Sequence, residues 1–255
     1  MPAEIHAFLC LSDNIGVLVH DPATKATAAI DVPEAEAVEA ALKAKGWTLT
    51  DVVVTHRHAD HIQGIPAMME RYKCRVVAAE KAKPDLPGAD LFVKEGDVVK
   101  VGSLAAKVFE TPGHCDDHVS YWFEADKALF CGDTIFTLGC GRLLEGSYGT
   151  FWNSIQKLAA LPDDTAVYSG HDYVLANGRF ALAADPDNAA LKARMKEAEA
   201  AKANGTFLIP SPLGTEKATN PFLRAGEPAL AKSVKLEGAE PVAVFQALRE
   251  WKNRF

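Results

Sequence analysis

Several features are scarce in this 255-residue chain. It carries only five cysteines (Cys10, Cys74, Cys115, Cys131 and Cys140), an odd number with no CxxC pair, so a disulfide framework is not expected. No apolar run approaches the ~20 residues that span a bilayer. The first residues, MPAEIHAFLCLSDN, lack a basic stretch, a long apolar segment and a small-residue cleavage site, so no export signal is read there. Positive charge is in deficit: 27 Lys and Arg against 34 Asp and Glu give −7, which argues against nucleic acid or an anionic membrane as a partner. A small anionic ligand responds to local charge and stays open. The expectation is a reduced, cytoplasmic chain.

The remaining composition, 48% hydrophobic and 24% charged, is that of a globular protein. Short apolar, β-branched runs at Ile15–His20, Asp51–Thr55, Arg75–Ala79, Ala106–Glu110, Val119–Phe123, Ala128–Cys131 and Ala166–Ser169 are each bounded by turn formers and predict strands. Helical spacing of apolar residues predicts helices over Pro33–Lys45, Ile62–Tyr72 and Thr150–Leu161, the last capped by its Thr. Strands with helices between them predict α/β layers. Beyond about Tyr173 the texture changes. Asn188–Asn204 is rich in Ala, Lys and Glu and ends at Gly205, a proline-bearing loop follows, and Pro241–Trp251 closes the chain as a helix. The boundary predicts an α/β domain over residues 1–172 and a smaller helical domain over 173–255.

The chemistry concentrates in Val52–His61, VVVTHRHADH. An apolar strand runs into His56, His58, Asp60 and His61, four metal-ligand side chains where the backbone turns toward a helix. Alternation puts His56 and His58 on one side, as one metal ion needs, while Asp60 and His61 fall at the turn and can face a second ion. The same grammar recurs three times: His114 after Thr111-Pro112-Gly113, Asp133 after Cys131-Gly132, and His171 after Ser169-Gly170. Imidazole with carboxylate suits Zn, Fe or Mn rather than Ca or Mg, and the donor types alone do not choose among the three. His118 is read as supporting or structural, and His6 and His20 as structural. Cys115 and Cys131 are read as packing residues, with a place beside the metal as the open alternative for Cys115.

His56-x-His58-x-Asp60-His61 followed by His114, Asp133 and His171 resembles the metallo-β-lactamase superfamily. That resemblance implies an αββα sandwich with metals at one edge. It further implies one ion on His56, His58 and His114, a second on Asp60, His61 and His171, and Asp133 shared between them, so that the expected cofactors are two divalent ions, zinc first, with iron or manganese compatible. Asp60 and Asp133 are then the residues expected to orient an attacking water.

Outside the metal motif, Gly139-Cys140-Gly141-Arg142, Gly170-His171-Asp172-Tyr173, Thr219-Asn220-Pro221-Phe222-Leu223-Arg224 and the ending Ala247–Lys252 resemble the glyoxalase II family. The resemblance implies hydrolysis of S-D-lactoylglutathione to glutathione and D-lactate, with Arg142, Tyr173, Arg249 and Lys252 contacting glutathione. Arg249 and Lys252, three apart on a helix, share a face from which both can reach one carboxylate. Two departures stand out. Leu144 replaces a frequent aromatic residue, and the usual GHTxGH reads Gly113-His114-Cys115-Asp116-Asp117-His118, so hydrogen bonding around the ligands is expected to differ. The alternatives on the same fold are a one-iron glutathione-persulfide dioxygenase on His56, His114 and Asp133, another metallohydrolase such as a lactonase, and a non-catalytic metal-binding module. A monomer acting on a small glutathione thioester, with no nucleic acid or membrane partner, is the expected mode.

Overall fold

In the computed structural model, which describes residues 1–255, the chain divides into two units: Met1–Thr111 with Asp116–Gly132, and Pro112–Cys115 with Asp133–Phe255. In the first, β1 (Glu4–Cys10), β2 (Asn14–His20) and β3 (Thr27–Ile30) form an antiparallel meander. It continues in parallel through β4 (Asp51–Val53), β5 (Arg75–Ala79) and β6 (Leu91–Val93). Parallel steps require crossovers; α1 (Ala35–Lys45) supplies the one from β3 to β4, and the pair α2 (Ala59–Ile62) and α3 (Ile65–Tyr72) the one from β4 to β5. Strands β2 to β4 are buried along their whole length, which is why they read as near-continuous apolar runs rather than alternating ones.

The same unit contains an antiparallel set of β7 (Val98–Val101), β8 (Leu104–Glu110), β9 (Val119–Phe123) and β10 (Ala128–Gly132). Here β8 does alternate, with Leu104, Ala106 and Val108 buried and Ala105 and Lys107 exposed. The fully buried Tyr121 of β9 donates its hydroxyl to the Val54 carbonyl at 2.8 Å. That bond ties this sheet to the segment just beyond β4.

The second unit opens its main stretch with a hairpin, β11 (Ile135–Phe136) and β12 (Gly139–Cys140), followed by α4 (Tyr148–Ala159) and β13 (Ala166–Ser169), which pairs with the short β14 (Ser211–Pro212). Helices α5 (Val174–Ala184), α6 (Ala189–Ala203), α7 (Leu213–Thr219), α8 (Pro228–Ser233) and α9 (Pro241–Arg254) complete it. Its core gathers Phe151, Phe180, Phe222, Phe245 and Leu248. Phe245 meets the rings of Phe151 at 5.7 Å and Trp152 at 5.4 Å, geometry in the favourable range for aromatic pairs. No helix of the chain is long and apolar enough to cross a membrane.

The structure departs from the sequence expectations at identifiable places. The helix expected over Ile62–Tyr72 is two helices. Gly64 donates its N–H to the Val32 carbonyl at 3.0 Å, and a Cβ there would lie 2.5 Å from Val32 Cγ1, so the chain pauses against Val32 before Pro66 restarts the helix. α1 begins at Ala35 rather than Pro33, because Asp31 takes a left-handed φ of 59° and the chain straightens only at Glu34. The cap of α4 is Ser147, whose side chain accepts from Thr150 N, rather than Thr150 itself. β1, β3, β6, β7, the β11–β12 hairpin, β14, α5, α7 and α8 carry no signal that the sequence reading used, and α9 runs on to Arg254.

Candidate metal-ligand clusters

In the first unit, β4 delivers Val54, Thr55 and then His56 into a turn that ends at α2. His56 is buried, with Nδ1 3.0 Å from Thr55 Oγ1 and Nε2 3.0 Å from His58 Nδ1. Two imidazole nitrogens at that distance share either a proton or a cation. The His61 ring lies 4.0 Å from that of His56, centroid to centroid. Asp31, at the end of β3, organises the group. Its carboxylate accepts from Thr55 N at 2.7 Å and from Thr55 Oγ1 at 2.7 Å, and it lies 2.8 Å from His61 Nδ1. A carboxylate at Nδ1 holds the proton there, which turns the Nε2 lone pair of His61 outward as a ligand atom. Asp31, His56 and His61 each offer a ligand atom within 4.8 Å of one another. Asn14 donates Nδ2 to the Asp60 carbonyl at 3.0 Å and to Asp60 Oδ2 at 3.2 Å, fixing the first turn of α2.

Two residues that the sequence marked as departures or bystanders lie against this cluster. Asp117 is buried and accepts from both the main chain and the guanidinium of Arg57. His118 bonds Thr111 Oγ1 through Nδ1 at 2.9 Å and stacks on His56 at 4.9 Å. Gly132 needs its glycine, since φ is +44° and a Cβ would meet Thr55 Oγ1 at 2.7 Å and His118 Nε2 at 2.8 Å.

In the second unit, His114, Asp133 and His171 come together. His114 Nδ1 lies 3.0 Å from the Arg142 carbonyl and so carries its proton on that side, leaving Nε2 as the ligand atom. Nε2 of His114 is 3.4 Å and Nε2 of His171 3.5 Å from the same oxygen, Oδ2 of the buried Asp133. These separations are long for hydrogen bonds. One carboxylate oxygen set evenly between two imidazoles could share a cation with either of them, and neutral imidazoles with a carboxylate are donors that suit a divalent transition-metal ion. His171 stacks on Tyr173 at 4.8 Å and 7°, and Phe136 meets both rings edge-on.

Several main-chain groups between Asp133 and Arg142 are held by side chains that follow them in sequence. Asn177 donates to the Thr137 carbonyl, and Asn220 donates to the Phe136 and Gly139 carbonyls at 3.1 and 2.9 Å. Leu138 N donates to the buried Glu216 at 2.8 Å, while Arg249 donates Nη1 to the Cys140 carbonyl at 2.8 Å. Burial pushes the Glu216 carboxyl above the usual carboxylate range, against the pull of its Ser211, Leu138 and Asn220 donors. Asn220 belongs to the Thr219–Arg224 string that carries the family resemblance, without a role assigned to it there, and Glu216 was not singled out. Arg224 of the same string pairs with Asp185, and Phe222 is core.

Of the residues expected to contact glutathione, Arg142 is exposed and Tyr173 is 37% exposed. Lys252 is half-buried, donating to the Ala176 carbonyl at 3.2 Å. Arg249 is only 4% exposed, sits 5.0 Å from the Phe222 ring, and keeps a buried Nε without a hydrogen-bond partner. Burial, then Arg249, Arg179 and Arg142, hold the Lys252 ammonium below the ordinary lysine range. Arg179 is thus a fourth cation of this group, missed in the sequence because it sits mid-helix without a motif. All five cysteines are free and buried. Burial pushes the Cys10 thiol up to about 12 and the Cys140 thiol up to about 11.

Residues 11–171 match the family model of the metallo-beta-lactamase superfamily, and residues 172–255 that of the hydroxyacylglutathione hydrolase C-terminus. A hydroxyacylglutathione hydrolase of Methylobacterium nodulans is 64% identical over 253 residues, covering 99% of each chain. One from Rhodopseudomonas palustris is 55% identical over 254 residues and covers 100% of both. Among solved structures, ETHE1 from Myxococcus xanthus superposes with a TM-score of 0.65 at 28% identity, over 98% of each chain.

Proposed function

Since the chain belongs to the hydroxyacylglutathione hydrolase family on a metallo-β-lactamase fold, we propose that it hydrolyses S-D-lactoylglutathione and similar 2-hydroxyacyl thioesters to glutathione and the free acid. In this reading His56, His58 and His114 hold one divalent ion, Asp60, His61 and His171 a second, and Asp133 serves both. The observation that carries it is the even placement of Asp133 Oδ2 against His114 and His171, 3.4 and 3.5 Å away. Zinc is the ion we favour, with iron or manganese accepted by the same donors. When bound, such ions supply an acidified water and neutralise charge developing on the thioester carbonyl oxygen.

The protein's own residues do the rest. Asp60 and Asp133 orient the water that attacks the carbonyl. Arg142, Tyr173 and Lys252 receive the two glutathione carboxylates, with Arg249 offering its unfilled Nε and holding the Cys140 carbonyl in place. The leaving thiolate needs no strong acid, since a thiol pKa near ~8.5 makes it a good leaving group. We take residues 1–172 as the catalytic domain and 173–255 as the glutathione-binding domain of a monomeric, cytoplasmic enzyme, a compartment that suits five free thiols.

The test is loss of thioester absorbance with S-D-lactoylglutathione, with metal content measured on the same preparation. Rapid hydrolysis with about two ions per chain supports the reading. No hydrolysis, one iron per chain and oxygen uptake with glutathione persulfide would replace it with the dioxygenase.

A pH effect follows from Lys252. With its ammonium held below the ordinary lysine range by burial and three guanidinium neighbours, it loses charge earlier than a free lysine as pH rises. Affinity for a non-hydrolysable S-alkylglutathione should therefore fall from neutral to alkaline pH. Lys252→Arg, whose guanidinium stays charged, should flatten that fall. Calorimetric titration across pH reads it, and identical profiles for the two proteins would remove Lys252 from the site.

A further inference from the structure

We infer that Asp117 is a positioning residue for the His56–His58 ligand pair, acting through Arg57. The inference rests on the reading of those histidines as metal ligands. Arg57 stands between them, and the orientation of each ring depends on the peptide planes that flank it. Asp117 Oδ2 accepts the Arg57 main-chain N–H at 2.9 Å, and Oδ1 accepts Arg57 Nη1 at 2.7 Å. One carboxylate therefore takes the backbone and the side chain of the same residue, closing a ring that a rotation of the loop at Arg57 would open.

The backbone bond is the informative one. The Arg57 N–H belongs to the peptide unit joining His56 to Arg57, so anchoring it fixes the ψ angle of His56. The two preceding peptide units are anchored as well. Thr55 N donates to Asp31 Oδ1 at 2.7 Å, and the Thr55 carbonyl accepts from Val119 N at 2.9 Å. Three consecutive peptide planes leading into the ligand loop are thus pinned, one of them by a side chain that has no ligand role of its own. A short, branch-free acid fits here because the Asp117 side chain is fully buried.

Burying that carboxylate is costly unless it is paired, and Arg57 supplies the pairing. Asp116 adds a more exposed contact to the same Nη1 at 2.6 Å, and Asp85 lies 3.8 Å from Arg57 Nε. The guanidinium is thereby held from three carboxylates while its backbone is held by one. Side chains that fix ligand orientation from behind commonly change metal affinity by about 10–100-fold when removed.

The experiment is zinc affinity, measured by competition with a chromophoric chelator well below the unfolding temperature, on the full-length wild type, Asp117→Ala, Asp117→Asn and Arg57→Lys. Asp117→Ala is expected to weaken zinc binding about 10–100-fold, and to shift the visible spectrum of the cobalt-loaded protein as the imidazoles reorient. Asp117→Asn keeps an acceptor for the Arg57 N–H but turns an amide toward the guanidinium, so a smaller loss is expected. If the alanine variant fails to fold, the asparagine variant carries the test, with that smaller but measurable loss and the cobalt-spectrum shift as the expected result. Arg57→Lys keeps the main-chain bond and should lose least. A wild type that loads normally beside Asp117 variants of unchanged affinity and unchanged cobalt spectrum would overturn this inference alone. A wild type that takes up no metal would overturn the metal reading and this inference together.

Discussion

Asp133→Ala should lower turnover of the glutathione thioester by about a hundred- to a thousandfold, the scale seen when an electrostatic stabiliser is lost from a catalytic site. Metal content should fall with it. The residue is buried, and its Oδ2 stands 3.4 Å from His114 Nε2 and 3.5 Å from His171 Nε2. Removing it leaves two imidazoles facing the space where the shared anion stood, with nothing to balance a divalent charge. Turnover and metal analysis on the same sample check the expectation. An alanine variant that keeps both would end the two-ion scheme. His58→Ala should behave alike, since that ring supplies the nitrogen facing His56 Nε2.

The second large effect is expected at Asp31, through two variants that separate stability from metal binding. Asp31→Ala strands a buried Thr55 N–H and hydroxyl and frees His61 Nδ1, three contacts that now lie at 2.7, 2.7 and 2.8 Å. A buried donor left without its acceptor costs about 1–3 kcal/mol, readable in urea unfolding of the metal-free chain. Asp31→Asn keeps an oxygen for Thr55 N but presents an amide to His61. The imidazole must then accept at Nδ1 and carry its proton on Nε2, the atom meant for the metal. Near-normal stability with a loss of about 10–100-fold in metal affinity is the expected result. Equal affinity in Asp31→Asn and the wild type would mean that Asp31 serves the fold alone.

Four of the residues proposed as ligands were legible because each follows an apolar strand, and the strand signal is local. His56, His114, Asp133 and His171 all follow short runs whose burial the sequence declares. What positions them is not local. Asp31 reaches Thr55 across 24 residues, Asn14 reaches Asp60 across 46, and Asp117 reaches Arg57 across 60. A single Asp or Asn in a turn has the same sequence appearance whether it caps a loop or orients a ligand. The replacement of glycine by Asp117 was visible, but its meaning depended on where Arg57 points. The basic face of α9 was read correctly as a helix, yet helical periodicity said nothing of the difference between a buried Arg249 and a half-buried Lys252, because that depends on Phe222 and the Cys140 carbonyl lying against it. The break between α2 and α3 was missed for a similar reason: Val32, which forces it, lies on a different element.

The segment from Asp133 to Arg142 takes its anchors from Asn177, Glu216, Asn220 and Arg249, residues translated 40 to 109 positions after the atoms they hold. A ribosome therefore releases the hairpin long before the side chains that shape it exist outside the exit tunnel. Domains ordinarily fold in the order they emerge, but the Cys140 carbonyl must wait for α9. The last helix to be synthesised thus completes the setting of a mid-chain loop, and a nascent chain stalled short of Arg249 would leave the Cys140 carbonyl without its guanidinium partner.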